Sequence, residues 1–558
     1  MHPEPTEPEW ARPGPGTWTL DRSHVVAPGP IVRHVLSTGM DVGMAEGCER
    51  FGAPIAGMKL RWVNGHFYRR IVPLVGAARD LPTPPPPLLW LATRLHPEFR
   101  RREKTARDTL EHHRWNEETD RWEREWCPRI TAENERLTDI EIEALDDVEL
   151  AEHLTEVHDH LVETTTLHFR LSVTSMGPMG LLMVNLRNWG LDPADTFDAL
   201  VHASPATRSA SVAARGIADA LREQGFDPEQ IATLEDIDAA GGEAATRLAG
   251  YLRTHGWRLT TGYDLQARML CEVPGLIVNA VRRSPSPADA DASRAERALS
   301  ALRDRVSAEH HEAFDRLVAQ ARASYGLRDA NGPITYEWPA GLLRRALLVA
   351  GDRLTRSGAL HEEGHVFELS VDEIADRLHG SATPTLAEIA DRAAQRRTWA
   401  TLDAPPQLGP DEVLPPVSVM PPYLGQVTEV ILTVMPALEA EAGYAPLHGL
   451  GLGTDSYRGT ARVVTVAEDA FASMEPGDVL VAPFTSPTYN AVLAMAGAVV
   501  TEEGGLLCHA AVIARELGLP AVIGAAGAVS LIPDGAEVVV DPVAGRVEVL
   551  SAHDATPR

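Results

Sequence analysis

One histidine of this chain stands in a setting suited to phosphoryl chemistry. In "TEEGGLLCHAAVIARELGLPAVIG", residues 501–524, His509 follows a double glycine and opens the helical pattern "HAAVIAREL". Gly518 and Pro520 then close that helix. A histidine at a helix start meets unpaired backbone N–H groups and the positive end of the helix dipole. Both depress imidazole basicity, so a ring nitrogen stays available as a nucleophile at neutral pH. The same groups would hold a dianion attached to that nitrogen, as helix starts hold phosphates. Gly504 and Gly505 let the backbone approach without a Cβ in the way, Cys508 precedes the histidine, and Arg515 further along the helix can assist. A lone histidine is more often a cap or an interior residue, so the surrounding pattern has to decide.

Other chemistry-bearing clusters are weaker. "HEEGH" (His361 to His365) spells a zinc-protease motif, which requires both histidines on one face of a continuous helix. Gly358 before it, Gly364 within it and the strand-like "VFELS" after it favour a loop turn, and no metal site is expected. "HDH" (His158 to His160) and "EHH" (Glu111 to His113) read as solvated helix faces. "GLGLG" (Gly449 to Gly453) lacks dinucleotide-loop spacing and reads as a flexible hinge.

These residues need a scaffold, and the chain is long enough for more than one domain at 558 residues. Its formal charge of −28 argues against nucleic acid and anionic membrane as partners. Four dispersed cysteines without a CxxC pair fit a reducing compartment, and the acidic, Pro-rich start has no signal-peptide pattern. No uncharged apolar run reaches membrane-spanning length, so a cytoplasmic protein is expected. Residues 1–16 read as a disordered tail, and 17–400 as a mainly helical domain. Within the latter, Trp18 to Pro87 reads as short strands and turns. Helix is expected over 88–126 with a break near Pro97, and at 208–254, 286–322 and 338–357. Residues 401–448 read as a Pro/Gly-rich linker and 449–553 as a compact α/β domain. Its strands are "ARVVTV", "DVLVAPF", "GAVVTEE", "PAVIGA" and "AEVVVD". Lys59 and Lys104 are the only lysines, and no GxxxxGK[ST] loop is present, so an ATP site within this chain is not expected. Nor is the regular strand–helix alternation of a TIM barrel present.

From "GTARVV" through "GDVLVAPFTSP" and the His509 segment to "DGAEVVVDPVAGRVEVL", the chain resembles the phosphohistidine swivelling domain of the phosphoenolpyruvate-utilising enzymes. That family includes phosphoenolpyruvate synthase, pyruvate phosphate dikinase and rifampicin phosphotransferase. The resemblance implies that His509 accepts a phosphoryl group and carries it between two sites, stabilised by Gly504, Gly505, Cys508 and Arg515. Leu507 stands where the synthase and dikinase have threonine, as in the rifampicin type, whereas Cys508 is synthase-like. "WTLDRSHVVAPGPI" (18–31) and "GALHEEGHVFELSVDEI" (358–374) resemble the helical substrate-binding domain of rifampicin phosphotransferases. The implied acceptor-site residues are Arg328, Asp329 and His24; the family's Arg-Glu-x-x-Lys reads Arg328-Asp329-Ala330-Asn331-Gly332 here, so the lysine is absent.

The implied architecture is multidomain: a mainly α-helical substrate-binding domain, then a compact α/β swivelling phosphohistidine domain. No tightly bound cofactor is expected. ATP and Mg2+ would act through a separate ATP-grasp partner, and a small molecule, bulky and partly apolar, would be the acceptor. Two alternatives stand beside this one: a non-catalytic or regulatory binding protein, and a tailoring enzyme in which phosphorylation drives a dehydration or cyclisation.

Overall fold

The computed structural model describes residues 9–21, 25–76, 84–260, 262–282, 290–411, 414–438, 445–465, 469–470, 473–485 and 489–551. The chain divides into two compact units. The first holds Met1–Gly177, Gly262–Gln266 and Asn331–Glu429; the second holds Pro178–Thr261, Ala267–Ala330 and Val430–Arg558. Residues 17–400 therefore contribute to both. Among the described residues no helix is long and apolar enough to cross a membrane.

The first unit carries an antiparallel sheet in the order β2-β3-β1-β4, built from β1 (Trp18–Leu20), β2 (Ile55–Val63), β3 (His66–Pro73) and β4 (Gln407–Leu408). Asn64 and Gly65, both left-handed (φ 47° and 76°), turn β2 into β3 as a two-residue hairpin. Between β1 and β2 runs α1 (Pro30–Phe51), a 22-residue helix where the sequence suggested only strands and turns. Glycine disfavours helix, and Gly39, Gly43 and Gly47 masked the pattern. Their spacing of four lines one face. A Cβ on them would lie 2.6 Å from Thr165 Cγ2, 2.1 Å from the Thr166 carbonyl oxygen and 2.8 Å from Val173. The glycines thus let α1 rest directly on the 42-residue helix Asp147–Asn188.

Several other expectations are corrected in this unit. Residues 9–16 are anchored at single points, although most are exposed: the Trp10 ring lies 5.5 Å from His66, and Trp18 Nε1–H donates to the Gly14 carbonyl at 3.0 Å. Two tryptophans supply apolar surface that the Pro/Glu composition concealed; residues 1–8 lie outside the described set. "VFELS" is no strand, since Glu363–Glu368 form a 3₁₀ stretch with Val366 and Phe367 buried. His158 stacks on His34 at 5.5 Å, and His160 Nε2 lies 2.7 Å from Asn134 Oδ1; burial lowers the basicity of both. Neither is a solvated helix residue, because Asp147–Asn188 is flanked by other elements along this stretch. Glu111 accepts a hydrogen bond from the Tyr423 hydroxyl (2.8 Å) and His113 packs beside Trp115, while His112 is exposed. The 401–448 stretch holds β4 and a 17-residue helix, Pro422–Leu438.

In the second unit, α2 (Pro205–Glu223), α3 (Gly242–His255) and α4 (Pro274–Arg282) close on Ile217, Leu221, Leu248, Tyr251, Ile277 and Val281. Beside them α5 (His311–Gly332) supplies residues up to Ala330. The C-terminal part forms a seven-stranded mixed sheet in the order β11-β10-β6-β7-β8-β9-β5. Its strands are β5 (Leu450–Leu452), β6 (Tyr457–Val463), β7 (Val479–Ala482), β8 (Ala498–Thr501), β9 (Ala521–Ile523), β10 (Glu537–Asp541) and β11 (Arg546–Ser551). Strands β6 to β9 are parallel, and β7, β8 and β9 are buried on both faces, which is why they read as unbroken apolar runs. The helix between β8 and β9, α6 (His509–Leu517), covers one face through Ala510, Ala511, Ile513 and Ala514.

"GLGLG" is not a hinge. It forms edge strand β5, and a Cβ on Gly451 would lie 1.7 Å from the Pro542 carbonyl oxygen, so its glycines serve close backbone packing. The glycine-mediated contact of α1 is the more exposed to test. Gly43→Val is expected to lower stability by about 1–3 kcal/mol, read as a drop in the denaturation midpoint. An unchanged midpoint would contradict the close helix contact.

Candidate active site

The site grows from the ends of two parallel strands. After β8 the chain passes through Gly504, whose φ of 120° suits glycine and whose Cβ would lie 2.6 Å from Cys508 Sγ. The Gly505 carbonyl accepts from the Cys508 N–H at 3.1 Å, tightening the turn into α6. Cys508 is the N-cap, with Sγ accepting from the Ala511 N–H at 3.4 Å, and burial keeps this thiol protonated by raising its pKa. His509 is therefore the first residue of the helix, at the end of the sheet where ligands of parallel sheets gather. Gly504, Gly505 and Cys508 all lie in the turn that leads into α6.

The imidazole is held at both nitrogens. Thr485 Oγ1 lies 2.7 Å from Nδ1, and Asn490 Oδ1 lies 2.7 Å from Nε2. Thr485 follows β7 and Asn490 opens the short helix Asn490–Leu493, so both come from the neighbouring strand connection. With the proton on Nε2, that N–H donates to Asn490 Oδ1 and Nδ1 accepts from the Thr485 hydroxyl. Reversing the hydroxyl and the amide serves the other tautomer at the same distances. Burial, with the nearby Arg258 guanidinium as a second cause, pushes the His509 pKa down to about 3. The ring is neutral at physiological pH and oriented whichever nitrogen reacts.

The remaining candidates sit differently. Arg515 lies six residues along α6, pointing away from His509; its Nη1–H donates to the Leu506 carbonyl at 2.6 Å and its guanidinium lies over the Phe197 ring at 5.1 Å. It braces the glycine loop from behind. Arg328 Nη2–H donates to the Leu507 carbonyl at 3.0 Å, and Asp329 Oδ1 lies 3.8 Å from Arg328 Nη1. Arg328 thus touches the backbone just before His509. His24 lies outside the described residues. A side chain at Gly332 would meet open space, so packing does not demand the glycine there. Sequence reasoning missed Thr485, Asn490 and Arg258. Thr485 lies in "GDVLVAPFTSP", which was read for family resemblance and not for side-chain roles, and Arg258 carried no motif at all.

Parts of the chain match known families. Residues 474–545 match the family described as PEP-utilising enzyme, mobile domain. Residues 168–329 match the one described as rifampicin phosphotransferase fourth domain. The α/β part is thus related to the mobile domains of phosphoenolpyruvate-utilising enzymes, and the helical part to rifampicin phosphotransferases. The rifampicin phosphotransferase of Streptomyces sviceus is 28% identical over 417 residues, 70% of this chain and 45% of that protein. That of Bacillus subtilis is 30% identical over 206 residues, 37% of this chain and 21% of its own. The phosphoenolpyruvate synthase of Aeropyrum pernix is 46% identical over 89 residues, 16% of this chain and 11% of its own. The chain spans about half the length, 45%, of the two Streptomyces relatives it matches.

Two neutral histidines, His509 and the buried His255, set an acid limit. His255, beneath Tyr251, is also pushed down to about 3 by burial and Arg258. Folded pKa values below the ordinary 6.5 mean that the unfolded chain takes up protons first. Stability is therefore full above pH 6.5 and declines as pH falls from 6.5 toward 3. Melting temperature is expected to fall steadily over that range, with a shallower fall in His255→Gln. An equally steep fall in the variant would contradict this assignment.

Proposed function

We propose that this chain is a phosphotransferase component in which His509 carries a phosphoryl group from an ATP-grasp partner to a small-molecule acceptor. The observation that carries the reading is the neutral imidazole fixed between Thr485 and Asn490 at a helix start. A lone pair on one ring nitrogen attacks the donor phosphorus, the donor P–O bond breaks and an N–P bond forms. The other nitrogen keeps its Thr485 or Asn490 partner while the ring is briefly cationic, then gives its proton to bulk water, leaving a neutral ring that carries the phosphoryl dianion. The first-turn N–H groups of α6 stabilise the added charge, with the dipole in the favourable sense.

ATP and Mg2+ enter with the partner. Lys59 and Lys104, the lysines that could grip triphosphate, both belong to the first unit, while His509 belongs to the second. Arg328 and Asp329, with His24 proposed from sequence, are the acceptor-side candidates. The printed name of the relatives makes rifampicin the first acceptor to assay. In this reading residues 449–553 are the swivelling carrier domain, 17–400 the substrate-binding region and 401–448 the connection.

Incubation with labelled ATP, Mg2+ and an ATP-grasp donor protein tests the proposal. Acid-labile, base-stable label is expected on His509, with His509→Ala reducing incorporation at least about 1,000-fold and Asn490→Ala about 10- to 100-fold. Equal labelling of wild type and His509→Ala would refute it.

A further inference from the structure

Where α6 meets the helical part of the second unit, Glu516 is buried, with only 3% of its side chain exposed. Its Oε1 accepts from the His202 backbone N–H at 2.7 Å, and its Oε2 lies 2.5 Å from His202 Nδ1. One residue thus meets both carboxylate oxygens, bonding one through its main-chain N–H and lying against the other with its ring. It does so in a left-handed conformation (φ 56°) that non-glycine residues seldom adopt. The turn around it is built in advance. Arg322 Nη1–H donates to the Ala199 carbonyl at 2.7 Å and to the Val201 carbonyl at 3.2 Å, fixing the segment that presents His202. Phe197 in the same segment receives the Arg515 guanidinium on its ring.

The charged groups around the contact come from three elements. Arg322 faces Glu516, Asp198 and Tyr325 face Arg515, and Arg328 reaches the loop before α6. Between these polar contacts, Leu200, Tyr325, Leu507 and Val512 line a narrow crevice. The seam joins these directed polar contacts to apolar packing, since Ala510, Ala511, Ile513 and Ala514 of α6 share one buried cluster with Ile217, Leu221, Leu248 and Ile277 of the helical part.

We propose that Glu516 and the 197–202 turn form a docking clamp that seats the α/β carrier on the helical segment. His202 and Glu516 are positioning residues: they act on His509 through α6 and touch no reacting atom. This rests on the carrier reading, in which His509 must leave the seated position to meet its donor. Opening the clamp exposes Leu507 and the α6 face bearing Val512 and Glu516, together with the histidine.

Hydrogen exchange on the full-length chain tests this, with Glu516→Gln and His202→Gly as variants. Glycine keeps the left-handed turn without strain, so His202→Gly removes the ring contact and leaves the backbone able to fold. Exchange of the α6 amides is expected to accelerate about tenfold in each variant, while the α2 amides keep their wild-type rates. Carbethoxylation of His509, followed by peptide mass spectrometry, should accelerate by a similar factor, with exposed His112 unchanged. Wild-type α6 exchange in both variants would overturn the clamp, and so would acceleration shared equally by α2. Both readouts work without phosphate. Their failure counts against the clamp alone, and a failure to label His509 counts against the carrier reading alone.

Discussion

A histidine that is to receive a phosphoryl group must keep a lone pair at neutral pH, and this chain secures one by withholding water and placing positive charge nearby. The cost is an imidazole that cannot gain a proton without strain on its surroundings. Everything adjacent to His509 answers that constraint. Thr485 and Asn490 supply hydrogen-bonding groups that serve a neutral ring in either tautomer. The helix start and Arg258 disfavour its cation while favouring an anion bound to it.

The sheet converts this local requirement into geometry. Parallel strands β7 and β8 end side by side, so the connection after one delivers Thr485 and Asn490 to the histidine that follows the other. The turn between β8 and α6 must pass very close to Cys508, which only a residue without Cβ allows at Gly504. Arg515 and Arg328 tie down the Leu506 and Leu507 carbonyls, so the loop is braced from its own helix and from α5. The family resemblance implies an acceptor-side role for Arg328. Its bond to Leu507 adds a second role, linking the helical segment to the backbone that sets His509.

Much of the α/β part was legible in the sequence because its elements obey local rules. Central strands such as Val479–Ala482 are short, apolar and β-branched, and α6 has a glycine stop at Gly518 in the left-handed conformation. The helices at 88–126 and 338–356 were legible for the same reason. What escaped depends on distant partners. Helix α1 carries three glycines that make sense only against Thr165, Thr166 and Val173, and around β5 Gly449 makes sense only against Ile523 and Gly451 only against Pro542. Around His509 the backbone features could be read from one segment, whereas Asn490 and Arg258 reach it through folding from 19 and 251 residues away, counting from His509. Local propensity cannot report such contacts, and motif matching reports the histidine but not what holds it.

The neutrality of His509 is the claim on which the rest stands, and it can be observed directly. With 15N-labelled histidine, NMR of the imidazole nitrogens can follow the ring from pH 8 to 4.5, with His509→Asn identifying the resonance. The account predicts chemical shifts of a neutral ring that barely move across this range. A titration centred near the ordinary 6.5 would contradict it.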